Sequence, residues 1–438
     1  MTETNAVGTT PLPSEPASSE RLPALDFVRG ACVLAMLLAT LPWLCRPFEL
    51  FAVHPQPGGP WDRHLLALLL FVVDHKILPL FAVLFGMGAA LQLRHTDAGD
   101  VDAVRHRFLR RMVVLFFLGL AHAFLFWWGD LLAVYAFVGF HVILFLVWGG
   151  VVESLSFYSC FATFYGALAV GAVLAEYWTT PEGAPDLGVP VPKVGPEGPP
   201  VSVFTAAEDP VVQWVKYIQA DNQARIYRHG SWFTVLGHRL FLHVKEWLHA
   251  LLITSWYMIG CALLGARLVN AKLLEPGGGP LARRLVLLGV LVGVPCHAAA
   301  VALFYLDQPV FSYCLNQLGA LPLSLLYLVV LLRLADARWL GALGGALRAV
   351  GRTALTNYWL QSMLACAIFH GYGFGLYGVS IAAGLLVVLG VWAGELIVSP
   401  LWLAAFRMGP AEWLWRSLAD RRLLPLRRAR PHPAGGVP

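Results

Sequence analysis

The sequence predicts an all-α membrane bundle of about ten transmembrane helices with both termini cytoplasmic. Three observations carry this: a composition that soluble domains do not have, a succession of membrane-length apolar runs, and basic residues confined to alternate connections. Of 438 residues, 58% are hydrophobic and 13% charged, with a mean hydropathy of +0.66. Soluble domains carry roughly 25% charged residues and about 45–50% apolar ones, so the surplus apolar surface needs lipid. The runs extend from Leu25 to Phe406 with one polar interruption, which leaves no stretch for a large soluble catalytic domain. The expected organisation is a disordered tail (1–24), a first membrane half (25–178), an extracytoplasmic insertion (179–245), a second membrane half (246–417) and a basic cytoplasmic tail (418–438).

Met1 to Glu20 is rich in Ser, Pro, Thr and Glu and has no basic segment before an apolar one, so it reads as a tail and not a cleaved signal peptide. Runs able to cross roughly 30 Å of hydrocarbon lie at Leu25–Leu44, His64–Leu93, Arg111–Gly129, Leu131–Gly149 and Ser156–Trp178. The second half has Glu246–Leu268, Arg284–Leu306, Tyr313–Leu334, Leu343–Gly371 and Val379–Phe406. Arginines and lysines gather around residues 94–111, 267–284, 333–352 and 407–430, all on one side, which the positive-inside rule makes cytoplasmic. The connections at Asp130, Asp307 and Tyr372 then face out. The insertion opens with a Pro/Gly-rich loop and continues, from Asp209 to Lys245, as an amphipathic helix expected on the outer interface. No internal repeat or inverted duplication of the hydropathy pattern is visible.

The net charge of +5 sits at the ends of apolar runs and not along one face, which excludes nucleic acid as a partner. Seven cysteines stand singly, with no CxxC and no metal-ligand spacing, so no metal is predicted. The partners are the bilayer and a small-molecule or lipid-linked acceptor; the oligomeric state is unknown from the sequence.

Ionisable side chains cost roughly 2.5–3.5 kcal/mol at the centre of a span, which makes them candidate functional residues. Asp26 and Arg29 lie three apart on one face of the entering helix. Asp74, His75 and Lys76 precede Pro79 in a segment longer than the hydrocarbon core, which places them toward the outer interface. His122 sits near the middle of its span with Asp130 and Tyr135 beyond; eight residues of helix put His122 and Asp130 roughly 12 Å apart, too far for a direct hydrogen bond. Thr353, Asn357 and Gln361 form a polar stripe that ends at His370 and Tyr372. His141, His249 and His297 read as interhelical contacts, and no hydrolase, dinucleotide or nucleotide motif is present.

At these clusters the sequence resembles the YeiB family of bacterial membrane proteins, whose C-terminal region is domain of unknown function 418. LDFVRG, HKILPLFAVLFGMG, GLAHAFLFWWGDLLAVYAFVG, GRTALTNYWLQS, FHGYGFGLYG and FRMGPAEWLWR are similar to its motifs. They place Lys76, Phe85, Gly86, Gly88, His122, Gly129, Asp130, Tyr135, Arg352, Asn357, Gln361, Tyr372 and Glu412 on family positions. Thr40 stands where the family commonly has Asn, and the 179–245 insertion matches no family motif. The D-x-x-R-G opening is also similar to the transmembrane acyltransferases, including the heparan glucosaminide N-acetyltransferases. That likeness implies transfer from cytosolic acetyl-CoA across the membrane by a His in the first outer loop, where this chain has His54.

The expected function is therefore acyl transfer, in a bacterial cytoplasmic (inner) membrane, from a cytosolic acyl-CoA to an acceptor at the outer face. His122, Asp130, Lys76, His54 and Asp74 are the catalytic candidates. Arg29, Arg111 and Arg352 are the candidates for the acyl-CoA phosphates. His75, Tyr135, Asn357, Gln361, His370 and Tyr372 are expected to line the substrate cavity, Tyr372 or Lys76 stabilising an oxyanion. The alternative is a transporter or exporter of a small molecule, which needs the cavity but neither base nor donor site; a third is a non-catalytic subunit of an envelope complex.

Overall fold

The computed structural model describes residues 22–46, 61–94, 100–179, 222–249, 253–275 and 278–428. His54, the 1–21 tail, residues 180–221 of the insertion and the last ten residues lie outside them. The first half comprises α1 (Pro23–Cys45), α2 (Asp62–Val72), α3 (Ile77–Arg94), α4 (Val101–Leu125), α5 (Leu132–Trp148) and α6 (Gly150–Thr179). The insertion contributes α7 (222–229) and α8 (Trp232–His249). The second half comprises α9 (Ser255–Asn270), α10 (Gly279–Leu288), a π-helical turn (Gly289–Gly293), α11 (Val294–Tyr305), α12 (Pro309–Ala335), α13 (Gly341–Arg352), α14 (Ala354–Phe369), α15 (Ile381–Ala405) and α16 (Pro410–Ala419).

Each of the ten apolar runs contains helix among the described residues. Among the described residues seven stretches are long and apolar enough to cross a membrane: Pro23–Cys45, Asp62–Arg94, Val101–Leu125, Gly150–Val173, Gly279–Tyr305, Pro309–Ala335 and Ile381–Ala405. The other three runs yield shorter helices, α5, α9 and α14. The run Leu343–Gly371 is not continuous: it divides at Thr353 into α13 and α14.

Connections that the charge pattern assigns to the same side do meet. At the arginine-rich end Arg94 pairs with Glu275 (3.8 Å), Arg267 with Glu153 (3.1 Å) and Arg111 with Asp420 (3.9 Å), while the Trp415 indole donates to the Arg111 carbonyl (2.8 Å). At the opposite end a buried Arg46–Asp62 pair accepts the Ile381 amide (3.0 Å), and Arg63 pairs with Asp307 (2.8 Å).

Close packing here depends on small residues, because lipid gives helices little hydrophobic reason to associate. On α3 and α9, a side chain at Gly86 or Gly265 would run into the backbone of Ala262 or Val83 across the contact. The α1–α13 contact repeats the device, with Gly30 against Leu347 and Gly351 against Asp26.

Two expectations about chain path need correction. The segment His64–Leu93 is two helices, broken at Val73–Lys76 where His75 takes a left-handed backbone (φ 58°), a conformation tolerated better by His than by most side chains. Pro79 then falls in the first turn of α3, where its missing N–H costs nothing. The break turns Lys76 inward instead of toward the interface, and it is completely buried. The amphipathic part of the insertion likewise does not simply lie on a surface: Tyr227 and Arg239 are fully buried against the bundle.

Candidate functional site

The His122 cluster forms where the α4–α5 connection folds back. Helix α4 ends at Leu125, and residues 126–131 return Asp130 to the level of the preceding turn. One carboxylate oxygen accepts the Ala133 amide (3.0 Å) at the start of α5. The other lies 2.9 Å from Nδ1 of His122, with both side chains wholly buried. Helical spacing therefore misled: the two residues are not on one helix, and they touch. A side chain at Gly119 would collide with Asp130 and Ala133, so the fold-back requires glycine there.

Tyr358 of α14 closes this cluster, its hydroxyl 3.5 Å from Asp130 and accepting the Leu131 amide (3.3 Å). The Trp359 ring stacks on the His122 ring at 5.9 Å. The His122–Asp130 contact is close in distance but short of an aligned hydrogen bond, and Nε2 of His122 and Nε1 of Trp359 have no hydrogen-bond partner among the described residues. Imidazole tautomers are set by such neighbours, and catalytic contacts tighten when substrate binds.

One turn further along lies Arg239 of α8. It donates to the Leu125 carbonyl (2.9 Å), to Nδ1 of His370 (2.9 Å) and to the Tyr372 hydroxyl (2.5 Å). Next to it His243 contacts the Trp128 carbonyl (2.7 Å). His370 and Tyr372 thus adjoin the His122 cluster through the α4–α5 connection.

Lys76 is elsewhere. Its ammonium donates to the carbonyls of Leu70 (2.5 Å) and Asp74 (2.7 Å) at the end of α2 and to the Asn316 side chain of α12 (3.2 Å). The same Asn316 donates to the Asp74 carboxylate (3.0 Å), which lies 3.5 Å from His75, and Gln317 contacts His75 (3.2 Å). A cation at a helix C-terminus is favoured by the exposed carbonyls, so this cluster seals the broken helix. His297 is buried nearby, with Nδ1 against the Gly293 carbonyl (2.7 Å) and Nε2 unpartnered among the described residues.

The α14 stripe faces a third way. Asn357 donates to Thr353 (3.0 Å) and to Ser399 of α15 (3.0 Å), and Gln361 donates to the Val33 carbonyl (3.1 Å) and to Glu395 (2.9 Å). Tyr135 ties α5 to the Leu78 carbonyl (2.9 Å). The side chains expected around one cavity are therefore divided: His122 and Asp130 meet, His370 and Tyr372 adjoin them, and Lys76, Asp74, His75, Tyr135, Asn357 and Gln361 belong to other helix contacts.

At the arginine-rich end an open cleft of about 560 Å³ is lined by Asp26, Arg348, Arg352 and Arg428 with small residues of α13 and α15. Arg29 adjoins it through Asp26 (3.2 Å), whereas Arg111 packs with Asp420 and the α16 tryptophan, away from it. No group of three or more metal-ligating side chains is assembled among the described residues.

Three of these residues escaped sequence reading. Glu395 carries a plain signal, a lone carboxylate deep in an apolar run. Arg239 and Asn316 carried weaker ones: a basic residue in a helix expected at the interface, and an amide in a run judged only by length.

Fold and buried polar clusters together define a multi-pass helical membrane protein whose hydrogen-bonding groups are gathered inside the bundle. Residues 276–422 match the family profile described as "Protein of unknown function (DUF418)". The chain is 27% identical over 416 residues to "Uncharacterized protein YxaH" of Bacillus subtilis (strain 168), covering 91% of this chain and 94% of that protein. It is also 27% identical over 419 residues to "Uncharacterized protein YeiB" of Escherichia coli (strain K12), covering 92% and 97%. The C-terminal third of the chain thus matches the DUF418 profile, and nearly the whole chain is similar to the YeiB and YxaH proteins, the likeness its motifs indicated. No solved structure matches it.

Proposed function

We propose that this protein is an acyltransferase of the bacterial cytoplasmic membrane, with His122 and Asp130 as its acid–base pair. The observation that carries this reading is the 2.9 Å approach of Asp130 to Nδ1 of His122, which leaves Nε2 without a partner among the described residues. A carboxylate on one imidazole nitrogen orients the ring and stabilises its protonated form, which leaves the other nitrogen to act as base. In the step envisaged, Nε2 takes the proton of an acceptor hydroxyl or amine as that atom attacks the thioester carbonyl. The carbon–sulfur bond breaks, and the proton passes to the departing thiolate.

The chemistry of the basic cleft supports a donor site there. Arg348, Arg352 and Arg428 would supply guanidinium donors to phosphate oxygens. The test is transfer from a radiolabelled acyl-CoA to lipid or added acceptor by purified protein. H122A and D130N should lose transfer and keep donor binding, and R352Q should weaken donor binding. A wild-type protein that binds no acyl-CoA, or an H122A protein that transfers normally, ends the proposal.

A transport function is the second reading, favoured by one observation: the broken α2–α3 segment carries Asp74 and Lys76 between carbonyls and Asn316. Irregular backbone at membrane depth is tolerated where it is buried in protein or lines a water-filled path. Uptake or efflux by proteoliposomes that needs Asp74 and no thioester would favour it over acyl transfer.

A further inference from the structure

Among the described residues, Arg239 is a charge without a counter-charge. Its side chain is wholly buried, and its contacts are a carbonyl, an imidazole and a phenol. Its Nε has no partner, and no carboxylate stands within ion-pair distance of the guanidinium among the described residues. Buried charges are normally paired, because several kcal/mol of desolvation otherwise stands uncompensated. The neighbouring His238 does not alter the balance, since burial holds it below the usual histidine range and keeps it neutral.

The surroundings of this charge are rich in donors. The Tyr372 ring lies 5.5 Å from the guanidinium carbon, and its hydroxyl accepts from Arg239 and lies 3.3 Å from Nδ1 of His370, so its proton can turn from that nitrogen to an incoming anion. Tyr227 packs on His370 at 4.6 Å between ring centres. Trp127, in the connection whose flanking carbonyls Arg239 and His243 hold, has a buried indole N–H with no partner among the described residues. Arg239 and His370 are closed off, whereas Tyr372 is 36% exposed and forms the accessible edge.

We infer that Arg239, with Tyr372 and His370, forms a binding site for an anionic oxygen group, a phosphate or carboxylate entering past Tyr372. The guanidinium supplies the charge and its unpartnered Nε–H, and the phenol supplies a further hydrogen bond. Such a group would come from a lipid headgroup or from a soluble anion. The inference is independent of acyl transfer at His122, because binding alone reads it.

The test measures the thermal unfolding midpoint of purified protein in phosphatidylcholine nanodiscs, with inorganic phosphate added or with phosphatidylglycerol included. A ligand that binds only the folded state raises that midpoint. The wild type should gain several degrees from at least one of the two anions. A gain from phosphatidylglycerol alone marks a headgroup site, and a gain from phosphate marks a soluble anion. R239K should keep part of the gain, Y372F should weaken the apparent affinity several-fold, and R239Q should abolish the gain. Because the basic cleft at the other end also attracts anions, the gain lost on substitution is the decisive quantity. If R239Q does not fold, R239K and Y372F carry the test. No gain in the wild type, or gains in R239K and Y372F equal to the wild type's, would overturn the site.

Discussion

Lys76 and His122 are both completely buried polar side chains in apolar helices, and they differ in what surrounds them. Three oxygens accept from the Lys76 ammonium and close the end of a broken helix. His122 is held by one carboxylate on one nitrogen, while the other nitrogen and the stacked Trp359 indole have no partner among the described residues. A polar group whose valences are used up holds the fold together. One left with an unused valence is available for chemistry, at the expense of some stability.

The sharpest way to break this comparison is K76M. It strands the Leu70 and Asp74 carbonyls and the Asn316 amide oxygen, and a buried acceptor left without its donor costs about 1–3 kcal/mol. Denaturant unfolding in detergent should show that loss, or no folded protein at all. An unchanged midpoint would remove the distinction between the clusters. Next comes H122A, whose cost should fall on chemistry: transfer should drop by about 100-fold or more, with an unfolding midpoint near the wild type's. D130N should resemble it, and a large stability loss in either would make this pair structural as well.

A smaller effect sharpens the frame on which both clusters rest. G86A places a methyl against the Ala262 backbone, and forcing α3 from α9 should cost about 1–3 kcal/mol by the same unfolding measurement. Smallest is E412A. Glu412 accepts the Leu355 and Thr356 amides (2.7 and 3.2 Å) at the start of α14, so its loss is that of a helix cap, about 0.5–2 kcal/mol. Circular dichroism melts should register it as a modest shift.

The architecture was largely legible in the sequence, since apolar length and the placing of arginines are one-dimensional properties. The contacts Arg94–Glu275 and Arg63–Asp307 join ends that the charge pattern had already assigned to common sides. The candidate site was legible only in its residues. His122 and Asp130 were both visible, but their contact depends on a connection that turns back at Gly129, which no helical period describes. Lys76 was read as interfacial because a continuous helix puts it there. The left-handed backbone at His75 turns it inward, and a single residue's conformation leaves no periodic trace. Arg239 was hidden for a different reason: amphipathic helices that rest on lipid and those that dock on protein share one pattern, and only the docking partner distinguishes them.

Glu412 has a consequence for the order in which the molecule is completed. It accepts the amide of Leu355, in the first turn of α14 and 57 residues before it in the chain, and membrane proteins emerge from the ribosome N-terminus first. The α14 helix, which brings Tyr358 and Trp359 to His122, therefore reaches its finished N-terminal turn only after α15 and the start of α16 have been synthesised. A chain cut short before Glu412 would have every apolar run present and still lack the acceptor for the first amides of α14.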